Sequence, residues 1–488
     1  MCFLHFCLWL YFIIQGVKDV REMIEKYIET DSTFYKRLLA IAVPVILQSL
    51  ITTGINLADN IMLGQLTETA LSASTQANHF IMLFTFAIMG ISMGTSVLSS
   101  RYWGAKDMTA LKKVITIALR CGLALGLVFT LADIFLPQKI MGLYFRADAV
   151  QEMEAGVAYL QWSTACFFPM AVSFILTNIL RSINLSTVPL LASVCAFGVN
   201  IGANYVLIFG KLGFSEMGVA GAALGTVIAR IVETGIILIC FLENKQIRYS
   251  LKDLLLPCRD FVMDFLRISV PVMLSDCLLG LGENVLAAIM GQIGSTFVSA
   301  NSITAMVRSI STIFISGLSF SSCFLTGQTL GEGNLKMAKK QGDTYLLLGA
   351  AVGVMAAVII QLISGLVIDV YKITTETKEV VRQLMNALCI IVIFRSTNSI
   401  LTKGVLRGGG DTRFLLAADM SAMWLVAVPL GVLGGLVFRL PAFYTYLFLY
   451  SDQIIKVVWC VFRLHSGRWI KKISTNSSVG AASGESLV

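Results

Sequence analysis

Residues 44–65 read PVILQSLITTGINLADNIMLGQ, and residues 271–292 read PVMLSDCLLGLGENVLAAIMGQ. The two stretches begin on Pro, end on Gly-Gln and align without a gap. The correspondence continues in both copies. Shifted by 227, residues 44–113 lie on 271–340 with 16 of 70 positions identical. Ser72-Ala73 falls on Ser299-Ala300, Gly90 on Gly317, Gly104 on Gly331 and Lys112-Lys113 on Lys339-Lys340. A shift of 226 then carries Leu180-Arg181 onto Leu406-Arg407. The chain is an internal duplication.

What was duplicated is a membrane bundle. Of 488 residues, 56% are hydrophobic and 14% charged, against about 25% charged in an ordinary soluble domain. Twelve apolar runs stand near the ~20 residues that a bilayer demands. They lie at about 37–60, 77–100, 114–136, 157–180, 188–210, 217–242, 265–290, 302–327, 344–367, 385–405, 414–437 and 440–462. All are expected to be helices, because a lipid-exposed strand edge could not satisfy its backbone. The fold class is therefore an all-α membrane protein of twelve transmembrane helices in two pseudo-symmetric six-helix bundles. The expected layout is an N-terminal segment (1–36), a first bundle (37–242), a linker loop (243–264), a second bundle (265–462) and a tail (463–488). Six spans is an even number, so both halves run in the same direction about an axis along the membrane normal, with a cleft between them.

Lys and Arg set the orientation. They gather in the loops after even-numbered spans (Arg101, Lys106, Lys112 and Lys113; Lys245, Arg248, Lys252 and Arg259; Lys336, Lys339 and Lys340). They also mark the N-terminal segment and the tail, so both termini are expected in the cytoplasm. The net charge of +8 thus belongs to the inner membrane face and not to nucleic acid. Residues 3–14 are too short to span; a start at Met23 is the plainer explanation of them. The Ser/Gly-rich tail from Ser474 to Val488 reads as disordered. Eleven Cys without a C-x-x-C pair and three His make no disulfide or zinc framework.

The first quoted stretch carries an acid that the second lacks. Asp59 falls on Leu286, and Asn56, three residues earlier on the same helical face, falls on Glu283. A carboxylate at membrane depth costs about 2.5–3.5 kcal/mol and faces a partner or a watery cavity; a position at the outer headgroup level is the competing reading. Span 5 carries Asn200 and Asn204 at i and i+4. Span 6 carries Thr226 inside Gly218-Val219-Ala220-Gly221-Ala222-Ala223-Leu224-Gly225-Thr226, where small residues admit close helix approach. One carboxylate, two amide carbonyls and a hydroxyl suit a hard cation such as Na⁺. An acid in a poorly hydrated pocket can equally carry a proton, and plain interhelical hydrogen bonding also accounts for the set. In the second half Glu283, Arg395, Asp452 and Lys456 are intramembrane charges of both signs. They form either static ion pairs or a second polar site. Asp452 with Lys456, and Arg230 with Glu233, are spaced to pair along one helix.

No Walker sequence occurs, Gly408-Gly409-Gly410-Asp411 follows a helix and reads as a turn, and no nucleophile has a placed His. The chain is therefore read as a non-enzyme without a cofactor. Its order of motifs resembles the multidrug and toxic compound extrusion family of transporters, on the bacterial side. The resemblance is carried by Pro44, Asp59-Asn60-Ile61-Met62-Leu63-Gly64, Arg101-Tyr102-Trp103-Gly104-Ala105, Asn200-x-x-x-Asn204-Tyr205-x-Leu207-Ile208-Phe209-Gly210, Gly221-Ala222-Ala223-x-x-Thr226 and Leu406-Arg407-Gly408-x-Gly410-Asp411-Thr412. It implies two bundles in a V, export of organic cations or drugs against Na⁺ or H⁺, and Asp59, Asn200, Asn204 and Thr226 as the coupling site. Some members have Asp at the place of Asn204. The family's second sodium site is not carried over, because this chain has Leu279 and Arg395 there. The expected partners are small cationic or amphipathic substrates and the lipid bilayer, with the chain acting as a monomer in the cell membrane. A flippase for a lipid-linked precursor is the alternative; it would need a groove rich in Arg and Lys, and membrane-depth cations number few (Arg120, Arg230, Arg308, Arg395, Lys456).

Overall fold

The computed structural model describes residues 28–145, 149–370 and 373–471. The expectations for residues 1–22 and for Ser474–Val488 lie outside the described residues. Among those described, the regular structure is helical throughout. In chain order the first half is α1 (Ser32–Gly64), α2 (Glu68–Gly104), α3 (Met108–Phe135), α4 (Val150–Ser182), α5 (Thr187–Phe209) and α6 (Gly218–Leu242). The second half is α7 (Arg259–Ile293), α8 (Ser295–Gly331), α9 (Leu335–Val370), α10 (Thr375–Gly408) and α11 (Thr412–Val437). Among the described residues, eleven helices are thus long and apolar enough to cross a membrane.

The twelfth span departs from expectation. Residues 440–462 form two short helices, α12 (Ala442–Leu449) and α13 (Ser451–His465), broken at Tyr450. At the break, Arg308 of α8 donates to the Tyr450 hydroxyl and to that of Tyr446 at 3.3 Å, with its guanidinium 4.9 Å from the Tyr450 ring centre. Two further irregularities follow. α10 contains a π-helical stretch at Ile400–Val405, and α11 contains two, at Ser421–Ala427 and Leu433–Val437. Such stretches widen a helix locally and frequently accompany function.

Local chemistry starts and anchors the elements. Asp31 caps α1 by accepting from the Thr33 backbone N–H at 2.9 Å, and the Thr33 hydroxyl and amide hold its carboxyl below the usual range. The linker docks on α3. Lys112 binds Asp253 at 3.0 Å, and Arg120 donates to the carbonyls of Leu254 and Leu256. Backbone donation from Ser250, then Lys112, keeps the Asp253 carboxyl below its ordinary value. Arg120 is consequently a loop-end residue and not a cation at membrane depth. Trp469 folds back under the α10–α11 turn, fully buried, and seats Gly409 so tightly that a Cβ there would lie 2.2 Å from the indole.

The two lobes meet along α2. Gly90 and Gly94 sit against Met273 and Ser269 of α7; Gly104 sits against Gln328 of α8, and Gly331 against Arg101. A Cβ on Gly331 would lie 2.1 Å from the Arg101 carbonyl oxygen. Buried Arg101 crosses the same seam, donating to the carbonyls of Gly409 and Lys471, each at 2.5 Å. Gln328 donates to the Ser182 carbonyl at 2.7 Å. These ties lie where α2 and α8 end, the end that carries the basic loops. Gly331→Ala is expected to destabilise the protein by about 1–3 kcal/mol, read as a lowered thermal midpoint in detergent; an unchanged midpoint would mean the seam yields freely.

Candidate functional site

Three first-lobe helices converge on Asp59. The Asn204 side chain of α5 donates its amide N–H to the Asp59 carboxylate of α1 at 2.5 Å. Asn200, one turn earlier on α5, interacts with the same carboxylate, yet neither of its polar atoms makes a well-formed hydrogen bond. Asn200 and Asn204 are both fully buried, and the Asn204 carbonyl oxygen likewise has no protein donor. Buried amide groups of this kind cost about 1–3 kcal/mol each when unsatisfied. They are therefore suited to a water or a cation. α6 reaches the cluster through its small residues: a Cβ on Gly225 would fall 2.1 Å from the Asn204 oxygen, and one on Gly221 2.6 Å from the Leu207 carbonyl. Thr226 follows Gly225 and is half-buried, but among the described contacts none ties its hydroxyl to Asp59. Arg230 of α6 and Tyr159 of α4 are electrostatic neighbours of the carboxylate. Asn56, by contrast, is exposed and stands outside the cluster.

A second polar chain runs deeper through the same lobe. Arg181 of α4 donates to Gln48 at 2.6 Å, Gln48 to Ser193 at 2.9 Å, and Ser193 to Glu233 at 2.8 Å; Arg230 closes it on Glu233 at 2.7 Å. The pairing of Arg230 with Glu233 along α6 is as the spacing predicts.

The duplicate lobe repeats this chain with different residues. Gln48 corresponds to Ser275, Ser193 to Asp419 and Arg230 to Lys456. Ser275 donates to Asp419, and Lys456 pairs with Asp419 at 3.4 Å and with Asp452 at 2.9 Å. Gln453 donates to Asp452 at 2.6 Å, and Asn398 donates to Gln453 at 2.8 Å. The acid that joins the helices has moved from α6 in one lobe to α11 in the other. Asp452 and Lys456 therefore belong to a buried ionic cluster. Glu283 and Arg395 stand apart from it, 3.9 Å from each other, with Glu283 60% exposed. The four second-lobe charges read together from the sequence are thus two separate groups.

Several intramembrane charges escaped the sequence reading. Asp276 pairs with Arg407 at 3.2 Å, and Lys403 has Asp276, Arg407, Arg395 and Glu283 as electrostatic neighbours. Asp133 is fully buried on α3 and accepts from Thr164 at 2.6 Å. Acids inside apolar runs were the available signal for Asp133, Asp276 and Asp419. Gly408-Gly409-Gly410-Asp411 is a turn, as expected, with Gly410 at φ +80° and Asp411 bound by Arg463 at 2.6 Å and Lys471 at 3.3 Å. A cavity of about 630 Å³ lies beside this turn, at the loop end and lined by none of the Asp59 cluster.

Helices long and apolar enough to cross a membrane, packed in two lobes with polar sites inside each, define a multi-pass membrane protein. Two copies of the MatE family model match residues 44–206 and 271–433, and the chain belongs to that family. Their starts are 227 residues apart, the shift read from the sequence itself. The chain is 22% identical to the "Uncharacterized transporter YisQ" of Bacillus subtilis, over 91% of this chain and 96% of that one. It is 22% identical to a "Probable multidrug resistance protein NorM" of Thermotoga maritima (90% and 93%) and 24% identical to "Multidrug and toxin extrusion protein 1" of Oryctolagus cuniculus (81% and 69%). A MOP superfamily transporter from Pyrococcus furiosus has the same fold, with a TM-score of 0.79 at 19% identity over 89% of this chain and 96% of that one.

Lys456→Met would leave Asp419 and Asp452 buried without their cation. A loss of about 3–5 kcal/mol is expected, read as a lower unfolding midpoint in detergent; an unshifted midpoint would show that the cluster contributes nothing to stability.

Proposed function

We propose that the protein is a secondary active antiporter in the cell membrane, working as a monomer with both termini cytoplasmic. It exports organic cations or drugs in exchange for Na⁺ or H⁺. The coupling ion engages Asp59, Asn200, Asn204 and Thr226. The observation that carries this reading is the Asp59–Asn204 hydrogen bond beside buried amide groups that have no protein partner. Relatives named as multidrug resistance proteins support the cargo class.

In this reading the sealed seam is the cytoplasmic end, and the cleft opens outward. A proton entering the site adds to the carboxylate and removes its charge, so the Asn204 donor loses a charged acceptor. A sodium ion keeps the carboxylate ionised and draws the Asn200 and Asn204 oxygens toward itself. Either event changes how α1, α5 and α6 hold one another. Because Gly221 and Gly225 pack α6 against α5 with no side chain between, a small shift at the site is passed directly to the helices. The lobe rearranges, the seam along α2 opens, and the cleft changes sides.

The lipid-linked flippase is less well supported. Lys456 and Arg407 are neutralised by acids in their own lobe and so are not free to hold a phosphate-bearing headgroup. Asp59→Asn is expected to abolish dye efflux from vesicles under both an imposed Na⁺ gradient and an imposed pH gradient. Asn204→Ala is expected to slow efflux roughly ten- to hundredfold, the worth of one charge-assisted hydrogen bond. Undiminished efflux by the Asp59 variant would refute the role of this site.

A further inference from the structure

We infer that the first-lobe cavity at Arg181 is a binding subsite for a carboxylate. The cavity measures about 280 Å³ and is lined by Ser49, Thr177, Asn178 and Arg181 and by the Arg230–Glu233 pair, with Phe320 of the opposite lobe closing it. Arg181 is 8% exposed, and a guanidinium stays charged in a protein. Its single protein acceptor is the neutral Gln48 amide; its Nε has none. Among the described residues no carboxylate lies within 4.0 Å of it. Glu233, the nearest acid that influences it, is already held by Arg230 and Ser193.

The duplicate lobe supplies the contrast. Arg407 stands at the equivalent position and is paired with Asp276 at 3.2 Å. The first-lobe counterpart of Asp276 is Ser49. One copy of the duplication thus carries a neutralised Arg. The other has a buried Arg without a carboxylate partner, facing a cavity whose lining acid, Glu233, is already held by Arg230 and Ser193. A buried cation without a counter-charge is unfavourable, and a planar guanidinium is built to take a carboxylate through two donors. The Thr177 hydroxyl lines the same cavity and can donate to the same group, while those of Ser49 and Thr52 donate to the Val45 and Gln48 carbonyls. Met89 and Met93 line the wall beside it and suit the apolar body of an organic acid. Export of such a molecule, as the anionic end of a zwitterionic cargo, rests on the antiport reading; binding does not.

The test uses purified full-length protein in detergent with benzoate as probe, followed by calorimetry with no ion gradient. Benzylammonium and chloride are the comparison ligands. Benzoate is expected to bind the wild type and to bind Arg181→Gln roughly ten- to hundredfold more weakly. Ser49→Asp, which reproduces the pair of the duplicate lobe, is expected to weaken benzoate to the same degree while raising the thermal midpoint, so loss of binding there is not loss of fold. Benzoate binding equally to Ser49→Asp, failing to bind the wild type, or being matched there by chloride or benzylammonium would overturn the assignment. Because no transport is measured, a failure of Asp59 to couple export leaves this result untouched.

Discussion

A charge held at membrane depth needs a counter-charge or an ordered set of dipoles within reach, since no bulk water is there to screen it. Much of this molecule is arranged around that constraint. Lys456 lies between Asp419 and Asp452, and Arg407 is matched by Asp276. Arg230 is matched by Glu233. The Lys456–Asp419 and Arg407–Asp276 pairs join helices that apolar packing alone would leave free to slide, because lipid tails attract apolar side chains as well as other helices do. Asp59 is treated differently: its direct protein donor is an amide, and the neighbouring amide atoms are left over. That asymmetry sets Asp59 apart from the paired charges.

Duplication makes the asymmetry readable. The two lobes inherited the same three-helix polar chain, and each solved the problem of its buried cation with an acid placed on a different helix. Glu233 does so from α6, and Asp419 from α11. The lobes therefore share a scaffold while differing in where charge is fixed and where it is exposed to a cavity. Interactions between them follow another rule. The α2 seam is made of glycines whose missing side chains let backbones touch, with Arg101 laid across it onto carbonyls of the α10–α11 turn. Backbone contact of this sort seals closely.

How far the architecture was legible depends on the range of the forces concerned. Span number, duplication and like orientation of the halves follow from hydrophobic run length and from residue identity at a fixed shift. Both are properties of the linear chain. The pairing of Asp452 with Lys456 and of Arg230 with Glu233 was legible because helical spacing is local. The break at Tyr450 was not, and the residue it places Tyr450 against, Arg308, is more than a hundred residues away. Nor was the separation of Glu283 and Arg395 from the Asp452 cluster, which depends on which faces of α7, α10 and α13 turn toward one another. Asn200 and Asn204 could be named as candidates from their spacing, whereas Thr226 could not be attached to Asp59 by any contact.

By itself the sequence determined that this chain is a duplicated bundle of membrane helices with one acid present in only one half. That much is carried by apolar periodicity, by the cost of charge in lipid and by the comparison of a repeat with itself. Only the tertiary structure decided which charges neutralise each other and which remain turned toward a cavity. Electrostatic partnership is set by distances of a few ångströms across helices remote in the chain, and the linear order holds no record of those distances.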